Sequence, residues 1–151
     1  MDQKNKRVIA LGFFDGVHRG HGALLRRVTK QARELGATAS AFTFDRSPTA
    51  AITGQAVPLL SSVEDRVWLM RTYYGIQEVI VSSFDGMMRM EWQDFITEYL
   101  VKQLHVVHVV AGHDFHFGYM GKGNPQRLQE TCSKLGIGCD TIGKVELEDI
   151  T

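Results

Sequence analysis

Two histidines stand three residues apart in the run Gly12-Phe13-Phe14-Asp15-Gly16-Val17-His18-Arg19-Gly20-His21. Side chains at that spacing share one face of a helix start, and Gly20 between them lets backbone N–H groups approach an anion closely. A helix N-terminus adds its own partial positive charge, so His18 and His21 there would bind and polarise a phosphate. Neither GxGxxG nor GxxxxGK[ST] occurs in the chain, so this is not one of the common glycine-rich phosphate loops. Asp15, inside the glycine-rich turn, is equally suited to shaping the loop or to bonding ligand hydroxyls. Phe13 and Phe14 could cover a planar ligand ring, although phenylalanine beside a buried strand more often belongs to the core.

These residues need a strand, a turn and a helix to hold them. Arg7–Phe13 is a short apolar run closed by glycine, and from His21 to Leu35 the residues Leu24, Leu25, Val28, Ala32 and Leu35 recur at helical spacing. Gly36 suits the end of that helix, and Thr38–Phe44 reads as a second strand, which completes a β-α-β unit. Ser61 with Glu64 makes a capping box for a helix through Tyr74, closed by Gly75. Glu78–Ser82 is a third strand, Trp92–Leu104 a helix, and Val106–Ala111 a fourth strand, apolar enough to be buried on both faces. Asn124 and Pro125 open a helix to Leu135, Gly136 stops it, and a last strand lies near Cys139–Gly143. The alternation predicts one α/β domain over 1–151, a doubly wound parallel sheet with helices on both faces. Ligands of such sheets bind outside the carboxyl ends of the strands, after Gly12, Phe44, Val81 and Ala111.

Charge narrows the ligand. Seventeen Lys plus Arg balance seventeen Asp plus Glu, which disfavours a polybasic nucleic-acid binder. Between Met1 and Arg33, however, eight basic residues face only Asp2 and Asp15. A local positive field beside a glycine-rich turn points to a small polyanion such as a nucleotide, while charge alone is equally compatible with a solvated helix face. No apolar run approaches the roughly 20 residues of a membrane span, and the N-terminus has no signal-peptide anatomy, so a cytoplasmic protein is expected. Cys132 and Cys139 lack metal or scaffold spacing and read as ordinary thiols. His113 and His116 lack a third ligand and read as surface imidazoles; His105 and His108 receive no role. Met87, Met88 and Met90 fit packing better than a mobile cover over a ligand.

The run GFFDGVHRGH resembles the GxFDGVHxGH signature of the FMN adenylyltransferase module of bacterial bifunctional riboflavin kinase/FMN adenylyltransferases, within the HxGH nucleotidyltransferase superfamily. Thr43-Phe44-Asp45 is similar to the TFD opening of that family's second motif, and Gly112-His113-Asp114-Phe115-His116-Phe117-Gly118 to its GxDFxFG motif. Gly121-Lys122-Gly123-Asn124 before a helix also fits. Two departures stand out. The family's TFDPHP is Thr43-Phe44-Asp45-Arg46-Ser47-Pro48 here, and the sequence reaches Ile150-Thr151 about where the family's ISSTxIR segment would begin. The riboflavin kinase domain is likewise expected to be absent from this sequence.

The resemblance implies a Rossmann-like nucleotidyltransferase fold and ATP-dependent adenylyl transfer to FMN, giving FAD and pyrophosphate. It implies His18 and His21 as catalytic residues. Gly12, Phe13, Phe14, Asp15, Gly16, Gly20 and Gly112 would lie along the nucleotide, and Asp45, Asp114, Phe115 and Phe117 at the substrate. ATP brings Mg²⁺, held on triphosphate oxygens with a carboxylate the sequence does not single out. The expected partners are ATP and FMN, with neither nucleic acid nor membrane. Arg46 and Ser47 keep a different acceptor open. The missing ISSTxIR segment keeps open a nucleotide- or flavin-binding module without turnover.

Overall fold

The computed structural model describes residues 6–12, 19–44, 63–82, 86–87, 89–112 and 115–142. Five strands, β1 (Arg7–Leu11), β2 (Thr38–Phe44), β3 (Glu78–Ser82), β4 (Val106–Gly112) and β5 (Gly138–Ile142), form one parallel sheet in the order β3-β2-β1-β4-β5. Among the described residues the longer helices are α1 (Arg19–Leu35), α2 (Val63–Tyr74), α3 (92–103) and α4 (Pro125–Leu135). Of these, α3 starts as one α-helical turn, Trp92–Asp94, and continues π-helical over Phe95–Gln103. The α/β sheet expected from the alternating pattern is therefore present.

Successive side chains of β1 point to opposite faces, and both faces are buried. Val8 and Ala10 join Leu24, Leu25, Val28 and Ala32 of α1 with Met70 of α2, whereas Ile9 and Leu11 join Phe42, Phe95, Leu100, Val109 and Leu128. The helical spacing read from His21 onward is the buried stripe of α1, except that Leu35 remains 47% exposed. Several boundaries differ by a residue or two. β1 ends at Leu11, with the Gly12 N–H making the last ladder bond to the Phe42 carbonyl of β2 at 3.2 Å, and α1 is already helical at Arg19. Ser61 and Gly143 lie outside the described residues. The expected helix ends at Gly36, Gly75 and Gly136 all have positive φ. The Asn124 side chain caps α4, accepting from the Arg127 N–H at 2.8 Å.

The π winding of α3 was not foreseen. Its i→i−5 bonding is seen in the Leu104 N–H to Tyr99 carbonyl contact of 3.1 Å. The wider turn sets Phe95 and Tyr99 edge-on to Phe42, at centroid distances of 5.6 and 5.9 Å, so packing on the sheet outweighs the commoner α geometry.

Polar contacts pin the sheet where packing alone would not. At its amino end, Arg7 donates to both carboxylate oxygens of Glu78, at 2.6 and 3.1 Å, and to the Leu104 carbonyl at 2.8 Å. The Ser40 hydroxyl donates to the same carboxylate at 3.0 Å. The bonds from Arg7 hold the Glu78 carboxyl below its ordinary range. A depressed carboxyl contributes stability in full above its unfolded value and loses it as pH falls through the lower folded value. The stability margin of the protein over Glu78→Gln is therefore expected to be constant above about pH 4.3 and to shrink below it, as thermal melts across that range would show; a margin independent of pH would contradict the assignment.

On the α1 face, His108 of β4 and Asp140 of β5 lie 2.8 Å apart, with Arg27 of α1 at 3.5 Å from the same carboxylate. The residue given no role from sequence thus ties β4 to β5, and a Cβ on Gly138 would collide with its ring. Cys132 and Cys139 are free thiols. A hydrogen bond with Cys132, together with burial, pushes the Cys139 thiol far above its ordinary value, so it stays protonated. Among the described residues, no helix is long and apolar enough to cross a membrane.

Candidate active site

The chain runs from β1 outward through β2 to β3, then returns to build β4 and β5 on the other side of β1. The crevice between β1 and β4 is therefore the topological switch point, where open parallel sheets bind ligands at their carboxyl ends. Leu11 is in register with Ala111 and with Phe42, so Gly12 and Gly112 stand next to one another at the carboxyl end of the sheet. Gly12 and Gly112 carry no side chain into the mouth of the crevice. Sequence reasoning singled out both glycines; the sheet order is what places them side by side.

From Gly12 the chain enters α1, whose first turn contains Gly20 and His21 and no acidic residue. The partial positive charge of that N-terminus is thus not offset by a carboxylate on its own first turn. Leu24, Leu25 and Val28 clamp the helix to β1, β2 and β4, which fixes the backbone that carries His21. His18, Phe13, Phe14, Asp15, Gly16, Asp45 and Asp114 lie outside the described residues, as does Met88.

After β4, the Phe115 N–H turns back to the Gly112 carbonyl at 3.2 Å. Phe115 is 7% exposed and Phe117 fully buried, with ring centroids 5.8 Å apart, and Phe117 lies 5.1 Å from Phe95. The two rings assigned to substrate by resemblance are thus packed in the core beside Phe95, not displayed as open contacts. Met87 is a packing residue, as expected, with one addition: its sulfur accepts the Gly118 N–H at 2.7 Å. Trp92 and Arg127, which sequence reasoning did not weigh, stack at 5.1 Å beside this turn. No local signal marks such a pair, because its members come from different helices. Among the described residues, no three His, Cys, Asp or Glu side chains gather to hold a metal.

The family model described as FAD synthetase matches residues 1–151, the whole chain. The chain belongs to the FAD synthetase family. Among curated relatives, it is 37% identical over 120 residues to the bifunctional riboflavin kinase/FMN adenylyltransferase of Listeria monocytogenes, covering 78% of this chain and 38% of that protein. It is 30% identical over 151 residues to the protein of that description from Bacillus subtilis, covering 98% of this chain and 47% of the relative. The chain thus spans less than half the length of these two relatives. A solved structure titled macrolide-efflux protein from Streptococcus pneumoniae superimposes with a TM-score of 0.75 at 22% identity, over 94% of this chain and 48% of that one. At that identity the likeness speaks for the fold, and it agrees with the Rossmann-like sheet of a FAD synthetase domain.

Proposed function

We propose that the chain transfers the adenylyl group of ATP to FMN, giving FAD and pyrophosphate. The observation that carries the proposal is the run from Gly12 to His21, which leaves the sheet at its switch point and enters the first turn of α1 in a chain of the FAD synthetase family.

An oxygen of the FMN phosphate attacks the α-phosphorus of ATP in line. The bond from that phosphorus to the oxygen bridging the α- and β-phosphates breaks, and its electron pair leaves with pyrophosphate. The nucleophile is already anionic, so the protein has little proton to remove and acts by positioning and by neutralising charge on the phosphoryl oxygens. His21, with the α1 N-terminus, serves the oxygens of the transition state; His18 serves the α-phosphate and the leaving group. Gly12, Phe13, Phe14, Asp15, Gly16, Gly20 and Gly112 form the nucleotide side. Asp45, Asp114, Phe115 and Phe117 would serve the acceptor. Mg²⁺ would enter as part of the MgATP substrate.

Arg46 and Ser47, in place of the family's proline and histidine, favour one second reading, the same chemistry on another acceptor. Incubating the chain with FMN, ATP and Mg²⁺ and scoring FAD and pyrophosphate together tests both. Equal amounts of the two products are expected. Pyrophosphate formed only when another phosphorylated acceptor replaces FMN would establish the second reading, and ATP binding with no product from any acceptor would leave a binding module.

A further inference from the structure

Residues 117–124 fold into a closed turn at the carboxyl end of the sheet. Phe117 and Gly123 pair across it, the N–H of each donating to the other's carbonyl at 3.2 and 2.8 Å. Within it, Gly118, Met120 and Gly121 have φ of 82°, 57° and 63°, and Met120 adopts the left-handed region despite its side chain. Such a backbone persists only when its surroundings over-determine it. Two of the restraints are local to the segment before α3: the Met87 sulfur holds the Gly118 N–H, and the Met90 carbonyl accepts the Tyr119 N–H at 2.7 Å. The third comes from α4. Arg127 donates through Nη1 to the Lys122 carbonyl at 2.9 Å while its guanidinium lies 5.1 Å over the Trp92 ring, and Gly118 packs against the Trp92 backbone. One planar cation thus grips both ends of the contact, a task that a lysine ammonium cannot share between a carbonyl and a ring face equally well.

We infer that Arg127 is a positioning residue for the acceptor side of the site: by holding the Lys122 carbonyl and the Trp92 ring it fixes the turn, and through the turn the Phe115 and Phe117 rings behind Gly112. The inference rests on the FMN reading above, in which Phe115 and Phe117 serve the acceptor. Arg127 is itself exposed and belongs to neither core cluster, so its replacement tests the clamp without opening a cavity.

The test compares Arg127→Ala and Arg127→Lys with the unaltered chain by hydrogen exchange of peptides covering 115–123, FMN titration, and FAD formation with each substrate varied. Arg127→Ala is expected to speed exchange of those amides about tenfold. It should raise KM for FMN roughly five- to tenfold and leave kcat and KM for ATP within about twofold, with Arg127→Lys in between. A merely structural role would move both KM values and kcat together, which overturns the proposal. Unchanged exchange overturns the clamp, and faster exchange with an unchanged KM for FMN overturns the positioning role. If the unaltered chain neither binds FMN nor forms FAD, the functional reading falls and takes the acceptor role with it, while the exchange data still decide the clamp.

Discussion

Replacing His21 by alanine is expected to lower kcat for FAD formation by about 10²- to 10³-fold, the loss that follows removal of one well-placed donor to a developing oxyanion. The expected effect is differential. A donor aimed at the phosphoryl oxygens serves the transition state, where charge builds on them, more than bound ATP, so kcat falls while KM for ATP changes little. Alanine is also the better helix former, so the first turn of α1 loses nothing from the substitution itself. The melting temperature should stay within a few degrees of the unaltered protein. Rate and melt are both needed: an inactive variant that also melts early would speak for a structural histidine, and one that turns over normally would remove His21 from the mechanism.

The parts of the molecule legible in the sequence are those written in local signals. The bounds of β2 and β3 follow from short apolar runs between glycine-marked helix ends, and α4 from its Asn124 cap and Pro125 start. The candidate site is read from a signal of the same kind, since a glycine-flanked pair of histidines after a strand is a local pattern. Its assembly is not. Gly12 and Gly112 meet only because β4 returns beside β1, and one sequence carries no statement of strand order. The Arg7–Glu78 pair joins residues 71 apart, and His108 finds Asp140 32 residues on; side chains alone do not announce such partners. The π winding of α3 and the burial of Phe117 belong to the same class. Both are set by what packs on the second face of the sheet, around Phe42 and Phe95, and not by neighbours in sequence.

Gly118→Ala is expected to have the largest effect on stability, roughly 3–5 kcal/mol, because two independent costs fall on one methyl group. The first is conformational: φ of 82° with ψ of −177° lies in a region of backbone space that is essentially glycine's own. The second is steric. A Cβ there would stand 2.7 Å from Cα and 2.9 Å from N of Trp92, and these backbone atoms open α3, which is anchored by the buried Phe95 and Ile96 just beyond, so the neighbour cannot swing aside as a side-chain tip would. Moving the turn instead would pull the Gly118 N–H off the Met87 sulfur and displace Phe117 from Phe95. Gly121→Ala separates the two costs, since φ there is 63° and the nearest atom, Cβ of His116, is 3.9 Å away, so only left-handed strain of about 1 kcal/mol remains. Urea unfolding of both variants should give midpoints ordered unaltered, Gly121→Ala, Gly118→Ala, at a common slope. If Gly118→Ala proves too unstable to fold, the order still stands; equal midpoints for the two variants would mean that the turn yields and Trp92 is no fixed wall.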